Sequence, residues 1–301
     1  MDILSAMRTF VAIVDSGSLT AAAVQLDRSQ PAVVRSLAAL EDHLGARLLQ
    51  RTTRRMSLTP EGNDYLQRCR QILSDVDEAE RVARQDIENP EGPLRLTAPI
   101  QFGQMHVAPL ITELLTEHQR ISVDLLLLDR NVNLIDEGID LAVRIGALPD
   151  SGMIGVKIGE VRRVVCAAPS LLEQTGVPSG PETLRQLPCI RVRNLTRASN
   201  WQFRRGSDDL NVTVDGRFSC NQVSTAIDAC TQGAGFGQFL SYQVQEQLRS
   251  GRLRRVLSEF EPPPIAVSLV YPEGRFVTPR QRVAIQFLKD RLRERVFFQD
   301  L

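Results

Sequence analysis

Residues 17–45 read GSLTAAAVQLDRSQPAVVRSLAALEDHLG. Two helical patterns stand here on either side of a tight turn at Asp27-Arg28. Ser18 is placed to cap the first, Leu19 to Leu26, because its hydroxyl can accept from an otherwise orphaned backbone N–H. Ser29 is placed to cap the second, with Pro31 in the first turn, where the missing N–H costs nothing. The second helix carries Val33, Leu37, Leu40 and Leu44 at spacings of 4, 3 and 4, and Gly45 ends it. Short helix, turn, longer helix is the layout in which the second helix enters the DNA major groove, N-terminal end first.

Upstream, Ile3, Leu4, Met7, Phe10, Val11 and Val14 recur at helical spacing and predict a further helix, broken by Ser16-Gly17-Ser18. Downstream, Leu48-Leu49 and Met56-Leu58 flank the polar stretch Gln50 to Arg55, which suits a small two-stranded wing. The wing holds Arg47, Arg51, Arg54 and Arg55 with no acid between 45 and 58, a local positive field suited to phosphates and a narrow minor groove. At the leading end of the second helix stand Ser29, Gln30, Pro31, Val34 and, one turn on, Arg35. Glutamine can read adenine with two hydrogen bonds, arginine can read guanine, and Val34 can touch a thymine methyl.

Thr59-Pro60-Glu61 is a helix start, with a cap, a proline and an acid in the first turn. The pattern runs to about Glu88. Tyr65, Cys69, Ile72, Val76, Ala79 and Ala83 alternate at spacings of 4 and 3, an a/d seam. At about 1.5 Å per residue the helix is about 40 Å long. A second copy of itself is the simplest cover for the stripe. The opposite face is acidic, with Asp75, Asp77, Glu78 and Glu80.

The chain has 301 residues, enough for about two domains, with 43% hydrophobic and 24% charged residues. That excludes a disordered or collagen-like chain. Its net charge of +0 excludes a supercharged polyanion binder but not DNA binding, because the total hides where charge sits. Residues 1–60 hold seven arginines against five acids, and the remainder holds 29 basic against 31 acidic residues. Lys157 and Lys289 are the only lysines, so arginine supplies nearly all positive charge. The five cysteines are scattered, with no C-x-x-C pair and no His/Cys cluster, so neither a metal nor a cofactor is expected. Cys220 and Cys230, if on one helix, lie about 15 Å apart along its axis, beyond disulfide reach; free buried thiols are the expectation. Met1-Asp2-Ile3-Leu4 has no basic region and no apolar run approaches about 18 residues, so neither a signal peptide nor a membrane span is expected. The expected location is the cytoplasm.

Asn89-Pro90-Glu91-Gly92-Pro93 has hinge composition. Beyond it, apolar runs at Leu94–Ala98, Ile121–Leu128, Leu141–Ile145, Arg163–Ala168 and Ile265–Tyr271 alternate with helical stretches near 103–118, 221–232, 241–249 and 279–297. Such alternation predicts an α/β domain with mainly parallel sheet, large enough for two lobes. Pro99 to Gly103 follows a strand and opens a helix whose N–H groups can take an anion. Asn221-Gln222 opens another helix, and Arg144 ends a strand. An arginine and two helix N-termini favour a small anion at strand ends. Other readings stay open: Gly103 and Gly235 as turn glycines, Trp201 as core, and Arg144 paired with an acid such as Asp140.

The ordered series Phe10-Val11-Ala12-Ile13-Val14, Gly17-Ser18-Leu19-Thr20, Ala22-Ala23, Ser29-Gln30-Pro31-Ala32, Arg35, Leu40-Glu41-Asp42-His43-Leu44-Gly45, Leu48-Leu49, Arg51-Thr52-Thr53-Arg54 and Leu58-Thr59-Pro60-Glu61-Gly62 resembles the N-terminal domain of the LysR-type transcriptional regulators of bacteria. Asp140 to Gly146, Trp201-Gln202-Phe203, Gly233 to Gly237 and Tyr271-Pro272 extend the resemblance over essentially the whole chain. The resemblance implies a winged helix-turn-helix over 1–59, a linker and dimerisation helix over 60–89 and an effector domain over 90–301. That domain would be α/β and two-lobed like type 2 periplasmic solute-binding proteins, with lobe I from 90–163 plus 266–301 and lobe II from 164–265. It implies DNA contacts from Thr20, Ser29, Gln30, Pro31, Val34, Arg35, Arg51 and Arg54. It implies effector contacts from Ile100, Gln101, Phe102, Arg144, Thr196, Trp201, Asn221 and Phe236. The implied partners are double-stranded DNA carrying a dyad operator, a small and expectedly anionic effector, further copies of the chain in a dimer and tetramer, and RNA polymerase as a further candidate. Ala21, Val34 and Ser36 depart from the family's usual residues and bear on base preference rather than docking. Gln238 and Leu240 depart too and change the pocket's shape or polarity.

An enzyme fits poorly. His43 belongs to the DNA-binding pattern, and His106 and His118 flank one helix with no nucleophile motif or carboxylate pair. Gly233 to Gly237 lacks dinucleotide-fingerprint spacing. A transport-type solute binder would not need the first 90 residues. An architectural DNA coat would need more phosphate contacts than a neutral chain supplies.

Overall fold

Asp2 Oδ1 accepts from Ser5 N at 3.1 Å and starts α1 (Ile3–Ser16), which Gly17 ends with a φ of 70°. Ser18 caps α2 (Leu19–Gln25) by accepting from Ala21 N at 3.1 Å. Asp27 takes the turn with a φ of 51°, and α3 (Gln30–Leu44) follows. Ser29 occupies the cap position of α3 but makes no side-chain capping bond. The wing pairs β1 (Leu49–Arg51) antiparallel with β2 (Met56–Leu58), Leu49 opposite Leu58. Thr59 Oγ1 donates to Arg47 O at 2.7 Å and accepts from Gly62 N at 2.9 Å, which fixes the start of α4 (Pro60–Ala83) against the wing.

The computed structural model describes residues 1–51, 56–83, 90–148, 152–193, 200–273 and 277–294. It divides into two compact units, residues 1–92 with 136–138 and residues 93–135 with 139–301.

In the first unit Phe10, Ile13, Val33, Leu37 and Leu40 form a core that also takes Leu66, Cys69 and Leu73 of α4. The expected seam on α4 is thereby divided. Cys69 is covered by the helices of its own unit, and Tyr65 sits 6.0 Å from the Phe10 ring. Ile72 remains 39% exposed, and Val76 is half-buried. The side chains of Ala79 and Ala83, and residues 84–89, lie outside the described residues. Heptad spacing alone could not separate a stripe that docks on its own domain from one that docks on a copy.

β3 (Gly92–Ala98), all but its first residue in the second unit, is followed by α5 (Ile100–Phe102), which runs through a wide π turn at Gly103–Val107 into α6 (Ala108–Glu117). β4 (Ile121–Leu127), β5 (Leu141–Ile145) and β6 (Met153–Val161) follow. Then come β7 (Arg163–Ala167), α7 (Pro169–Thr175), β8 (Ile190–Val192), β9 (Asn200–Arg205), β10 (Asp208–Thr213), β11 (Phe218–Cys220), α8 (Val223–Thr231), β12 (Gly237–Leu240), α9 (Ser241–Arg249) and β13 (Arg254–Val256). β14 (Ile265–Pro272) and α10 (Pro279–Arg293) return to the first sheet.

That first sheet has the order β4-β3-β5-β14-β6 and buries Leu94, Leu96, Leu141, Val267 and Leu269 beneath Leu110 and Leu114 of α6 and Leu288 of α10. Elsewhere β12-β7-β13 form a sheet, β11 pairs with β8, and β9 with β10. Their apolar faces form two further cores, one around Trp201, Phe203 and Phe236 and one around Val164, Ile227 and Phe239. The sheets are mixed, not mainly parallel: β3–β5 and β8–β11 are parallel, but β14 runs antiparallel to β5 and β6, and β12 and β13 run antiparallel to β7. The reason is the route of the chain. β6 leaves the first sheet toward β7 and β14 comes back, so the two returning neighbours oppose each other.

Cys220 ends β11 while Cys230 lies in α8, so the one-helix premise for that pair does not hold. All five cysteines are free. Burial pushes the Cys189 and Cys230 thiols up to about 12, which disfavours the reactive thiolate. Among the described residues, no helix is long and apolar enough to cross a membrane.

Candidate functional site

Two surfaces carry the polar groups singled out in the sequence. On the first unit, the 4-3 spacing of α3 puts Val33, Leu37 and Leu40 fully in the core. The other face then stands outward: Ser29, Gln30, Pro31 and Arg35 are exposed and Val34 is half-buried. Thr20 on α2 is exposed too. Val24, one turn further along α2, is 80% exposed, an apolar group that the sequence reading passed over. The signal that could have found it is its position four residues after Thr20 on the same helical face. β1 includes the backbone of Arg51, whereas the Arg51 side chain and all of Arg54 lie outside the described residues.

The wing is less purely basic than its own sequence suggests. Glu41, buried on α3, accepts from Leu48 N at 2.9 Å and Leu49 N at 3.2 Å through Oε1. Its Oε2 accepts from Arg47 Nη1 at 2.7 Å. Burial alone would raise the Glu41 carboxyl; the two amides and Arg47 outweigh it and hold the group below its ordinary value. Arg47 therefore has a counter-charge, from an acid lying before the stretch in which none was found. Glu41 ties the end of α3 to the first wing strand.

On the second unit a cleft of about 510 Å3 opens. Its walls come from widely separated segments, including Pro99 to Gln101, Leu128 to Asn131, Arg144 to Gly146, Gln222 to Ser224 and Gln238 to Leu240. Of the sequence-derived residues, Ile100, Gln101, Arg144 and Trp201 line it. Trp201 is also core, with 6% exposure. Phe102 and Phe236 are fully buried and are not on the wall; Phe102 meets Tyr242 edge-on at 5.2 Å and Phe236 sits in the core around Trp201. Gln101, beside Phe102, and Gln238, two residues after Phe236, line the cleft instead. Asn221 is exposed away from the wall, and Gln222 takes the place expected of it. Thr196 lies outside the described residues.

The charges expected to greet an anion are largely engaged. Arg144 donates to Val132 O at 2.8 Å and Arg130 O at 3.5 Å, anchoring the loop after β4. Asp140 accepts from Arg95 N at 2.8 Å and from Gln281 Nε2 at 3.2 Å. The Ile100 amide, first in its helix, donates to Asp129 Oδ1 at 3.0 Å. Gly103 and Gly235 are close-approach positions: a Cβ at Gly103 would run into the Leu127 side chain, and one at Gly235 would lie 2.8 Å from Pro188 O. Gln238 lines the cleft and donates to Gln202 O at 3.2 Å, joining β12 to β9. Asn200, beside Trp201 in the stretch from Thr196 expected to wall the cleft, lines it too, whereas Arg163 and Gln243 line it and were not anticipated. No local motif marks them, because the fold brings them together from distant segments. Among the described residues, no group of three or more His, Cys, Asp or Glu side chains could hold a metal.

Residues 4–63 match the family model described as "Bacterial regulatory helix-turn-helix protein, lysR family", and residues 88–293 match "LysR substrate binding domain". An HTH-type transcriptional regulator of Xanthomonas campestris pv. campestris is 35% identical, over 94% of this chain and 83% of its own. The uncharacterized HTH-type transcriptional regulator YhjC of Escherichia coli (strain K12) is 33% identical, over 98% of this chain and 99% of its own. The structure of CrgA, a LysR-type transcriptional regulator from Neisseria meningitidis, superposes with a TM-score of 0.61 at 29% identity, covering 96% of this chain and 98% of that one.

Proposed function

The chain belongs to the LysR family of bacterial transcriptional regulators, and on that premise we propose that it reads a dyad operator with the leading end of α3 and answers to a small molecule held in the cleft. The observation that carries this reading is the division of α3 into a face locked by Val33, Leu37 and Leu40 and a face presenting Gln30, Pro31 and Arg35. A rigidly held helix end with exposed glutamine and arginine suits base edges in the major groove. Thr20, Ser29 and Val34 flank that end. Ser29 keeps its hydroxyl out of the capping bond, which leaves it for a phosphate. Arg51 and Arg54 of the wing would take the backbone or minor groove.

Ile72 and Val76 of α4 remain as a partly exposed apolar strip, which supports pairing of two copies through this helix. A tetramer through the second units would place two reading pairs on one DNA. Effector binding would shift the population of cleft conformations and with it the spacing of the reading helices. The protein acts in the cytoplasm as a regulator, not an enzyme, with RNA polymerase as a further partner. Selection from a random duplex library tests the reading: two-fold related half-sites should be enriched. Enrichment of single unphased sites, or none, contradicts it. Light scattering of the free protein at micromolar concentration should show a dimer or tetramer, and a monomer contradicts pairing through α4.

A further inference from the structure

We propose that the cleft takes a small organic carboxylate bearing a hydroxyl group next to the acid, the carboxylate held by Arg163 and the hydroxyl donating to Gln101 Oε1. The inference rests on the reading of the cleft as the effector site and specifies its chemistry.

Arg163 is the first residue of β7, and its backbone is held opposite Leu240 of β12. Its side chain lines the cleft and is half-buried, and the loss of water lowers its affinity for the proton without discharging it, since guanidinium remains protonated in proteins. Among the described residues, no carboxylate or carbonyl partners that guanidinium. A partly desolvated cation without a counter-charge is unfavourable, and an incoming carboxylate relieves it with two parallel hydrogen bonds. Two other cations line the cleft, and one of them, Arg130, is exposed to solvent, where an ion pair is worth little. Arg144 is engaged by Val132 O and Arg130 O. Asp129, the one acid among the described lining residues, accepts from Ile100 N. Thus Arg163, not the helix N-terminus or Arg144, supplies the positive pole.

The second pole has the opposite polarity. Gln101 lines the cleft, and its Oε1 is buried with no hydrogen-bond partner among the described residues. An orphaned buried acceptor calls for a donor, which a carboxylate lacks and a hydroxyl provides. Between the poles Ile100, Met105, Trp201, Phe239 and Leu240 offer apolar wall, and about 510 Å3 lies in the range of small-molecule sites.

The test uses the full chain in thermal-shift and calorimetric titrations with mandelate, phenyllactate and lactate, each beside its primary amide, and with phenylacetate as the acid lacking the donor. At least one hydroxy acid should raise Tm at millimolar concentration while its amide does not. Arg163→Gln should weaken that acid at least tenfold with the ligand-free Tm unchanged or raised, since no partner is lost; a lowered ligand-free Tm would assign Arg163 to structure instead. Arg163→Lys should restore the preference for acid over amide. Gln101→Leu should keep phenylacetate binding but lose the advantage of mandelate over phenylacetate. The proposal is overturned if none of the acids shifts Tm, if the amides match them, or if Arg163→Gln changes nothing. Ser224→Trp, placed to fill the cleft, separates the two levels. Amide binding abolished by Ser224→Trp sinks the carboxylate and leaves the effector cleft standing, whereas ligand binding that survives Ser224→Trp sinks the cleft reading itself.

Discussion

The reading helix and the cleft handle polar side chains in opposite ways. On α3 the polar groups stand outward on a short, continuous run of sequence, and the one buried acid, Glu41, is fully engaged by Leu48 N, Leu49 N and Arg47. In the cleft the polar groups come from segments as far apart as Pro99 and Ile265, and several are tied to the protein's own backbone. A surface that must meet a long polyanion gains by leaving its donors solvated and uncommitted. A pocket that must discriminate one small molecule gains by fixing most groups and leaving few unsatisfied.

The largest expected effect breaks the first half of that comparison. Arg35→Ala should abolish specific operator binding. Loss of one bidentate base contact costs about 1–3 kcal/mol, and a dyad site loses two. Its melting curve should match the wild type because Arg35 is exposed and the α3 core is untouched. Fluorescence anisotropy on the selected operator reads the first and circular dichroism the second; unchanged affinity removes Arg35 from the reading surface.

Next comes Glu41→Ala, which orphans two buried amides and should cost about 2–4 kcal/mol in stability of the first unit. The pH dependence follows from the sign of the shift. The folded carboxyl lies below its ordinary value, so its contribution is present above the unfolded value and is lost as pH falls through the lowered one. Glu41→Gln should therefore flatten the acid limb of the stability curve. An acid limb identical to the wild type would show that Glu41 does not hold the wing.

These outcomes bear on what was legible beforehand. The first unit could be read because its signals are local: Ser18 as a cap, the 4-3 spacing of α3, and Thr59 before Pro60 each act within a few residues. The Glu41 bond to Arg47 and the wing amides joins helix to strand and leaves no periodic trace. In the second unit the strands seeding the first sheet were visible as apolar runs. β6 was not, since Gly155, Lys157 and Gly159 interrupt its pattern, and the β9–β10 hairpin lay beyond the apolar runs. The cleft was read where a strand end or helix start marked it, at Ile100, Gln101 and Arg144, and at Trp201, which the family resemblance supplied. Phe102, next to the wall residue Gln101, turned into the core because successive side chains of a helix point in different directions, and Phe236, just before β12, packs with Trp201 and Phe203.

Smaller effects sharpen the contrast. Gly103→Ala pushes a methyl group against Leu127 and Ala98 and should lower the stability of the second unit by about 1–2 kcal/mol, with operator affinity of the folded protein unchanged. Two separable transitions in calorimetry, only one of them shifted, would support independent units. Asp77→Ala removes the 2.5 Å pair with Arg8, half-exposed on both sides. Such a pair contributes at most about 1 kcal/mol, so the loss should be small and should fade at high salt.

The measurement that reaches the central claim most directly is a nuclease footprint of the full chain on its selected operator, with and without a panel of small carboxylates. The account predicts discrete protection over a two-fold symmetric site, shifted or extended by a bound ligand, and absent with Arg35→Ala. Diffuse protection, or a discrete footprint that Arg35→Ala leaves intact, contradicts it.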